Sequence, residues 1–226
     1  MSEPIGVALI DMARAAHPTS WTVAGWALVG AFLGGTLAAV TSWRLLADPG
    51  VLRRRPWVSG CAATAGLLVG ILAVRFEGYE LAAFACVACV GAVLAGIDLV
   101  ERRLPRHLVL PGYGVVGGLL AAAAAGTERW SDLLTALAAA FVVALAYFAV
   151  ALASSGGLGS GDVTFGGLLG LAMGWQGWPT VITGTAVAWT GAAVVLLVLR
   201  CVGQRPGTVP MGPFLLVGAM VALLSG

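Results

Sequence analysis

Eight stretches of this 226-residue chain are apolar over nearly the whole length a helix needs to cross a bilayer. They cover roughly 21–43, 57–75, 79–98, 108–125, 132–153, 163–177, 178–200 and 209–225, and carry at most a charge or two near their ends. Crossing the hydrocarbon takes about 20 apolar residues in helical form. The runs are continuously apolar rather than alternating, which selects helices over a barrel. The sixth is the shortest and the richest in glycine, and Gly174, Gly177 and Pro179 are expected to mark the turn that separates it from the seventh. The chain therefore reads as an all-α polytopic membrane protein of about eight transmembrane helices, a single membrane-embedded domain over 1–226.

Composition supports lipid as the solvent. Hydrophobic residues make up 60% of the chain and charged ones 10%, against about 25% charged in a soluble domain. Too few charges are present to keep a globular surface wet. Lysine is absent, and the net charge of +2 is small, which argues against a nucleic-acid partner. The cysteines Cys61, Cys86, Cys89 and Cys201 lie in or beside apolar runs and read as buried thiols. The single Cys86–Cys89 pair cannot complete a four-ligand zinc site, so no metal is expected.

The arginines give an orientation. With eight spans, one side collects Arg44, Arg53, Arg54, Arg55, Arg102, Arg103, Arg106, Arg200 and Arg205, while Arg14, Arg75 and Arg129 fall on the other. The richer side should be cytoplasmic, so both termini face outward. Residues 1–20 then form a short extracytoplasmic segment. Glu3, Asp11, Arg14 and His17 interrupt it, and it does not read as a cleaved signal peptide. Residues 47–56 form a short cytoplasmic loop.

Among ten acidic residues, eight read as solvated or loop groups: Glu3, Asp11, Asp48, Glu77, Glu80, Glu101, Glu128 and Asp132. Two remain. Asp98 closes the third run, and Asp162 follows Gly-Gly-Leu-Gly-Ser-Gly (156–161) to open the sixth. A carboxylate at a membrane boundary is costly, and each has a bland reading as an interfacial cap. Two complete runs separate them, so both return to the same side at similar depth. That placement lets two acids hold one water. Two close carboxylates cannot both ionise cheaply and share a proton: the ionised partner can take a proton from water while the protonated one polarises a carbonyl. Neither His17 nor His107 is placed to assemble a competing nucleophilic site. Residues without Cβ allow close approach of another strand, so Gly159 and Gly161 are candidates for receiving an extended substrate. A proton-coupled transporter using the same carboxylates is the alternative reading; no repeat relates the two halves of the chain, as an inverted-repeat transporter would show.

Three motifs resemble the prepilin peptidases, or type IV leader peptidases, of the GxGD class of membrane aspartyl proteases. They are Asp98-Leu-Val-Glu-Arg-Arg-Leu-Pro105, Gly-Leu-Gly-Ser-Gly-Asp162-Val and Val-Pro-Met-Gly-Pro-Phe (209–214). A fourth, Gly35-Thr-Leu-Ala-Ala-Val-Thr-Ser-Trp-Arg44-Leu45, matches less closely. The resemblance implies that Asp98 and Asp162 are the catalytic pair. It implies a prepilin or pseudopilin-like substrate, cut at the cytoplasmic face of the inner membrane. Glu101 is a candidate for meeting the basic leader, and Pro210 for the substrate edge. Many bacterial members have a long cysteine-bearing cytoplasmic loop and also N-methylate the new amino terminus with S-adenosylmethionine. Here the loop is short and free of cysteine, Ala39 stands where Asn is usual, and Arg106 and Thr164 replace a frequent Asn and Lys. The expectation is proteolysis without methylation, and no cofactor.

Overall fold

A computed structural model describes residues 20–44, 55–154, 158–203 and 209–226. These form eight α-helices and no strand. They are α1 (Ser20–Arg44), α2 (Arg55–Leu72), α3 (Gly78–Glu101), α4 (Arg106–Thr127), α5 (Trp130–Ala153), α6 (Ser160–Gly174), α7 (Trp178–Cys201) and α8 (Gly212–Ser225). Each falls on one of the eight apolar runs. Five of them, α1, α3, α4, α5 and α7, are long and apolar enough to cross a membrane; α2, α6 and α8 are shorter. The N-terminal segment 1–19, most of the 47–56 loop, and Gly156 and Gly157 lie outside the described residues.

Successive helices alternate in direction, which sorts their termini into two ends. At one end Gly212, the first residue of α8, meets Asp98 near the close of α3, and Leu104 meets Gly161 at the start of α6. At the other, the Arg75 guanidinium donates to the Leu224 carbonyl at the close of α8. The arginines therefore segregate as the runs imply, with Arg102, Arg103, Arg106 and Arg200 at the first end and Arg75 and Arg129 at the second.

Two helices are interior. From Leu81 to Asp98 almost every side chain of α3 is buried, and α6 is buried throughout Phe165–Gly174. The outer helices instead expose large apolar residues such as Phe32, Leu134, Phe141 and Leu197. That distribution suits a bundle whose solvent is lipid. The α1–α2 hairpin docks on α3 through Ala38, Cys61, Val93 and Ile97. Lipid gives helices no hydrophobic drive to associate, so contact depends on small residues that let backbones close in. The glycines of α6 do this. A Cβ on Gly170 would stand 2.9 Å from the Ala139 carbonyl, and one on Gly174 would stand 2.5 Å from the Ala139 methyl. Gly174 thus packs on α5. The turn into α7 belongs to Gly177, whose φ of 106° is open to glycine, followed by Pro179 in the first turn.

The second end has its own polar clamp. Arg129 reaches Glu80 at 2.6 Å and Asp132 at 2.5 Å, and its guanidinium lies 4.7 Å from the Trp175 ring centre. One arginine therefore joins the starts of α3 and α5 to the end of α6. Glu80 and Asp132, read singly as solvated groups, belong to one network. Arg129→Gln is expected to cost about 1–2 kcal/mol, because two half-exposed ion pairs and one cation–π contact are each worth a fraction of that. The check is a lowered thermal midpoint in detergent; an unchanged midpoint would assign Arg129 no structural role.

Candidate active site

Asp98 lies one turn before the end of α3. Its carbonyl accepts the Arg102 N–H at 3.0 Å, and Arg102 takes a left-handed conformation (φ 52°, ψ 39°) that stops the helix. The Asp98 side chain is only 4% exposed. Its Oδ2 accepts the backbone N–H of Gly212 at 2.7 Å. Helix N-termini carry unpaired N–H groups and a partial positive charge, so the first residue of α8 is a suitable donor for a buried carboxylate. A Cβ at Gly212 would stand 3.1 Å from Asp98 Oδ2 and 3.2 Å from its Cβ. The absent side chain is what allows α8 to come this close.

Asp162 is the third residue of α6. Its Oδ2 accepts the N–H of Gly159 at 2.9 Å, as a capping-box acid does. The interfacial-cap reading is therefore correct for one oxygen. The other, Oδ1, is buried and has no hydrogen-bond partner among the described residues. A buried polar atom left without a partner is costly, so this oxygen retains acceptor capacity that the described residues do not use. Asp98 at the close of α3 and Asp162 at the start of α6 lie at the same end of the bundle, on different helices.

The segment after Asp98 holds the two motifs together. Leu104 is buried, and a Cβ at Gly161 would overlap its carbonyl and side chain. Gly161 is thus occupied by the chain's own backbone. Gly159 is exposed and extended (φ −76°, ψ 152°), and of the two glycines it is the one open to a second strand. Glu101 pairs with Arg103 at 2.7 Å, on the helix turn that follows Asp98. Pro210 is half-buried on the segment entering α8, and the contact to Asp98 comes two residues later, from Gly212.

Sequence reading singled out Pro210 and missed Gly212 and Leu104. A glycine followed by proline at the head of an apolar run is a helix-start signal, and it was available at Gly212-Pro213. Nothing in the sequence pairs Leu104 with Gly161, because that contact runs through a backbone carbonyl.

Comparison with known proteins adds a family. The model described as the type IV leader peptidase family matches residues 84–199, a stretch that contains both aspartates. A prepilin leader peptidase/N-methyltransferase of Aeromonas hydrophila is 31% identical over 165 residues, covering 72% of this chain and 56% of the relative. A protein of the same name from Aeromonas salmonicida (strain A449) matches to the same extent. The chain thus spans little more than half the length of the curated relatives it matches. No solved structure matches it.

The contact at Gly161 can be tested by volume. Gly161→Ala is expected to destabilise by about 1–3 kcal/mol, since the added methyl must displace a backbone carbonyl. Gly114→Ala, where nothing lies within 4 Å of the new methyl, should leave the thermal midpoint unchanged or slightly raised. Equal behaviour of the two variants in detergent melting would remove the close approach from the account.

Proposed function

The chain belongs to the type IV leader peptidase family, and we propose that it is an aspartyl endopeptidase that removes the leader of a prepilin- or pseudopilin-like substrate. In this reading all eight helices span the cytoplasmic membrane as one peptidase domain, with both termini outward. The cut falls at the cytoplasmic face, because the arginine-rich end is also the end that holds the acids. What supports the proposal is the placement of Asp98 and Asp162 at one end of the bundle, on α3 and α6, each accepting a backbone N–H.

The chemistry needs no other group. The pair shares one proton and titrates as a unit, so neither acid holds a permanent role. The ionised carboxylate takes a proton from a water held between the acids, and the water oxygen attacks the scissile carbonyl carbon. The protonated carboxylate donates to the carbonyl oxygen as charge develops there. Collapse of the tetrahedral intermediate breaks the C–N bond, and the proton taken from water passes to the leaving amine. Asp162 Oδ1, buried and without a donor among the described residues, is the atom proposed to receive that water.

A substrate strand lies along the exposed Gly159, while Gly161 stays committed to Leu104. Pro210 belongs to the same edge through the segment that leads to Gly212. Glu101, though paired with Arg103, is the acidic group that meets a basic leader. The relatives carry N-methyltransferase in their name. With its short cysteine-free loop and Ala39, this chain is proposed to cleave without methylating.

Asp98→Asn and Asp162→Asn should each lower leader cleavage by about a thousandfold or more, the scale expected for loss of a general acid or base, while the protein still inserts. The measurement is processing of a prepilin in membranes or proteoliposomes. Normal processing by either variant would remove the paired-acid mechanism.

A further inference from the structure

The glycine pair Gly166-Gly167 faces two tyrosines. The Tyr147 ring lies 3.3 Å from where a Cβ on Gly166 would stand, and its hydroxyl accepts the Trp189 indole N–H at 3.1 Å. Tyr113, from α4, is placed differently. Its hydroxyl donates to the Thr164 carbonyl at 2.8 Å and occupies the space that a Cβ on Gly167 would take.

This second contact bears on the active site. Thr164 is two residues after Asp162, in the turn of α6 that sets the direction of that carboxylate. Beside the Leu104 packing at Gly161, the turn's other side-chain hydrogen bonds among the described residues are local: Gly159 N–H to Asp162, and the Thr164 hydroxyl to the Gly161 carbonyl at 2.9 Å and the Ser160 carbonyl at 3.2 Å. The Tyr113 hydroxyl is the longer-range one, reaching across 51 positions of sequence. It is also backed by packing, since Leu168 on α6 sits against Gly112, the residue beside Tyr113. A hydroxyl of fixed length between two helices sets both their spacing and the rotation of α6.

We infer that Tyr113 is a positioning residue for the peptidase. Its hydroxyl, received in the gap left by Gly167, fixes the first turn of α6 and thereby aims Asp162 toward Asp98. Tyr113 touches no reacting atom and acts through the Thr164 carbonyl. The inference rests on the peptidase reading for its kinetic effect, but the mechanical claim concerns α6 alone.

The pairing of hydroxyl and missing methyl gives a test with a sign. Tyr113→Phe removes only the hydroxyl and should lower kcat for leader cleavage about tenfold, the effect of one lost hydrogen bond, with KM within about twofold. Gly167→Ala drives a methyl into the hydroxyl and should be at least as harmful. In Tyr113→Phe/Gly167→Ala that overlap is gone, so the double variant should cleave faster than Gly167→Ala alone. A readout independent of cleavage is amide hydrogen exchange in detergent, in which Tyr113→Phe should speed exchange in residues 160–168 and leave α3 unchanged.

A purely structural role would lower the melting point and leave kcat intact, and that result would overturn the inference. A double variant no faster than Gly167→Ala would overturn the pairing. If the wild-type protein cuts no prepilin, the peptidase reading falls. The exchange experiment still decides the mechanical claim, which fails if residues 160–168 exchange as in wild type.

Discussion

A carboxylate buried at the end of an apolar helix must find a donor, and much of this architecture follows from the one that Asp98 finds. The donor is the Gly212 N–H at 2.7 Å. Because it is a backbone group at the first residue of α8, the start of α8 must reach the end of α3. Because the approach is so close, a Cβ at residue 212 would press on Asp98, 3.1 Å from its Oδ2. The 14-residue α8 then runs back along the interior to the far end, where Arg75 meets the Leu224 carbonyl. One backbone hydrogen bond thus sets where α8 begins, and the Arg75 guanidinium secures its end.

The same economy of backbone contact organises α6. This helix interleaves glycines with Phe165, Leu168, Leu169, Leu171 and Met173 and is buried along Phe165–Gly174. In lipid, such a helix is held by what can come close to it rather than by what it expels from water. Each glycine admits a specific neighbour: the Leu104 carbonyl at Gly161, the Tyr147 ring at Gly166, the Tyr113 hydroxyl at Gly167, and the Ala139 carbonyl and methyl at Gly170 and Gly174. The first of these ties the loop after Asp98 to the helix that carries Asp162. The two acidic motifs therefore form one object, although α4 and α5 separate them in sequence.

The helices were legible because bilayer thickness imposes a length on apolar runs, and all eight runs became helices within a few residues of their expected ends. The partners of each helix were not legible. Runs that are apolar on every side carry no stripe to say which face turns inward, so nothing marked α3 and α6 as interior. The acids were found through cost: a charge beside lipid needs a reason. Their partners were missed because both are backbone N–H groups, which every residue but proline carries. Glu80 and Asp132 were set aside one at a time, and only a folded chain could show Arg129 between them. The neighbours of Gly166-Gly167 are illegible for the same reason, since a sequence records the missing side chain but not what fills its place.

The two acids are held unequally, and that difference bears on the chemistry. Asp98 is deeply buried with its Oδ2 bonded across the bundle to α8. Among the described residues, Asp162 bonds to its own helix cap and keeps Oδ1 buried without a partner. Leaving one buried polar atom unsatisfied costs on the order of 1–3 kcal/mol, a cost a purely structural cap would remove by turning toward a donor. Here the carboxylate cannot turn freely: its other oxygen is tied to Gly159, and its helix is wedged between Leu104 and Tyr113. Under the proposed function that oxygen is where a water would bind, and the close contacts of glycine along the rest of α6 offset its cost. Local instability at functional positions, supported by tight packing elsewhere, is a general pattern. In this chain the packing that supports it and the acid that bears it lie on the same fifteen-residue helix.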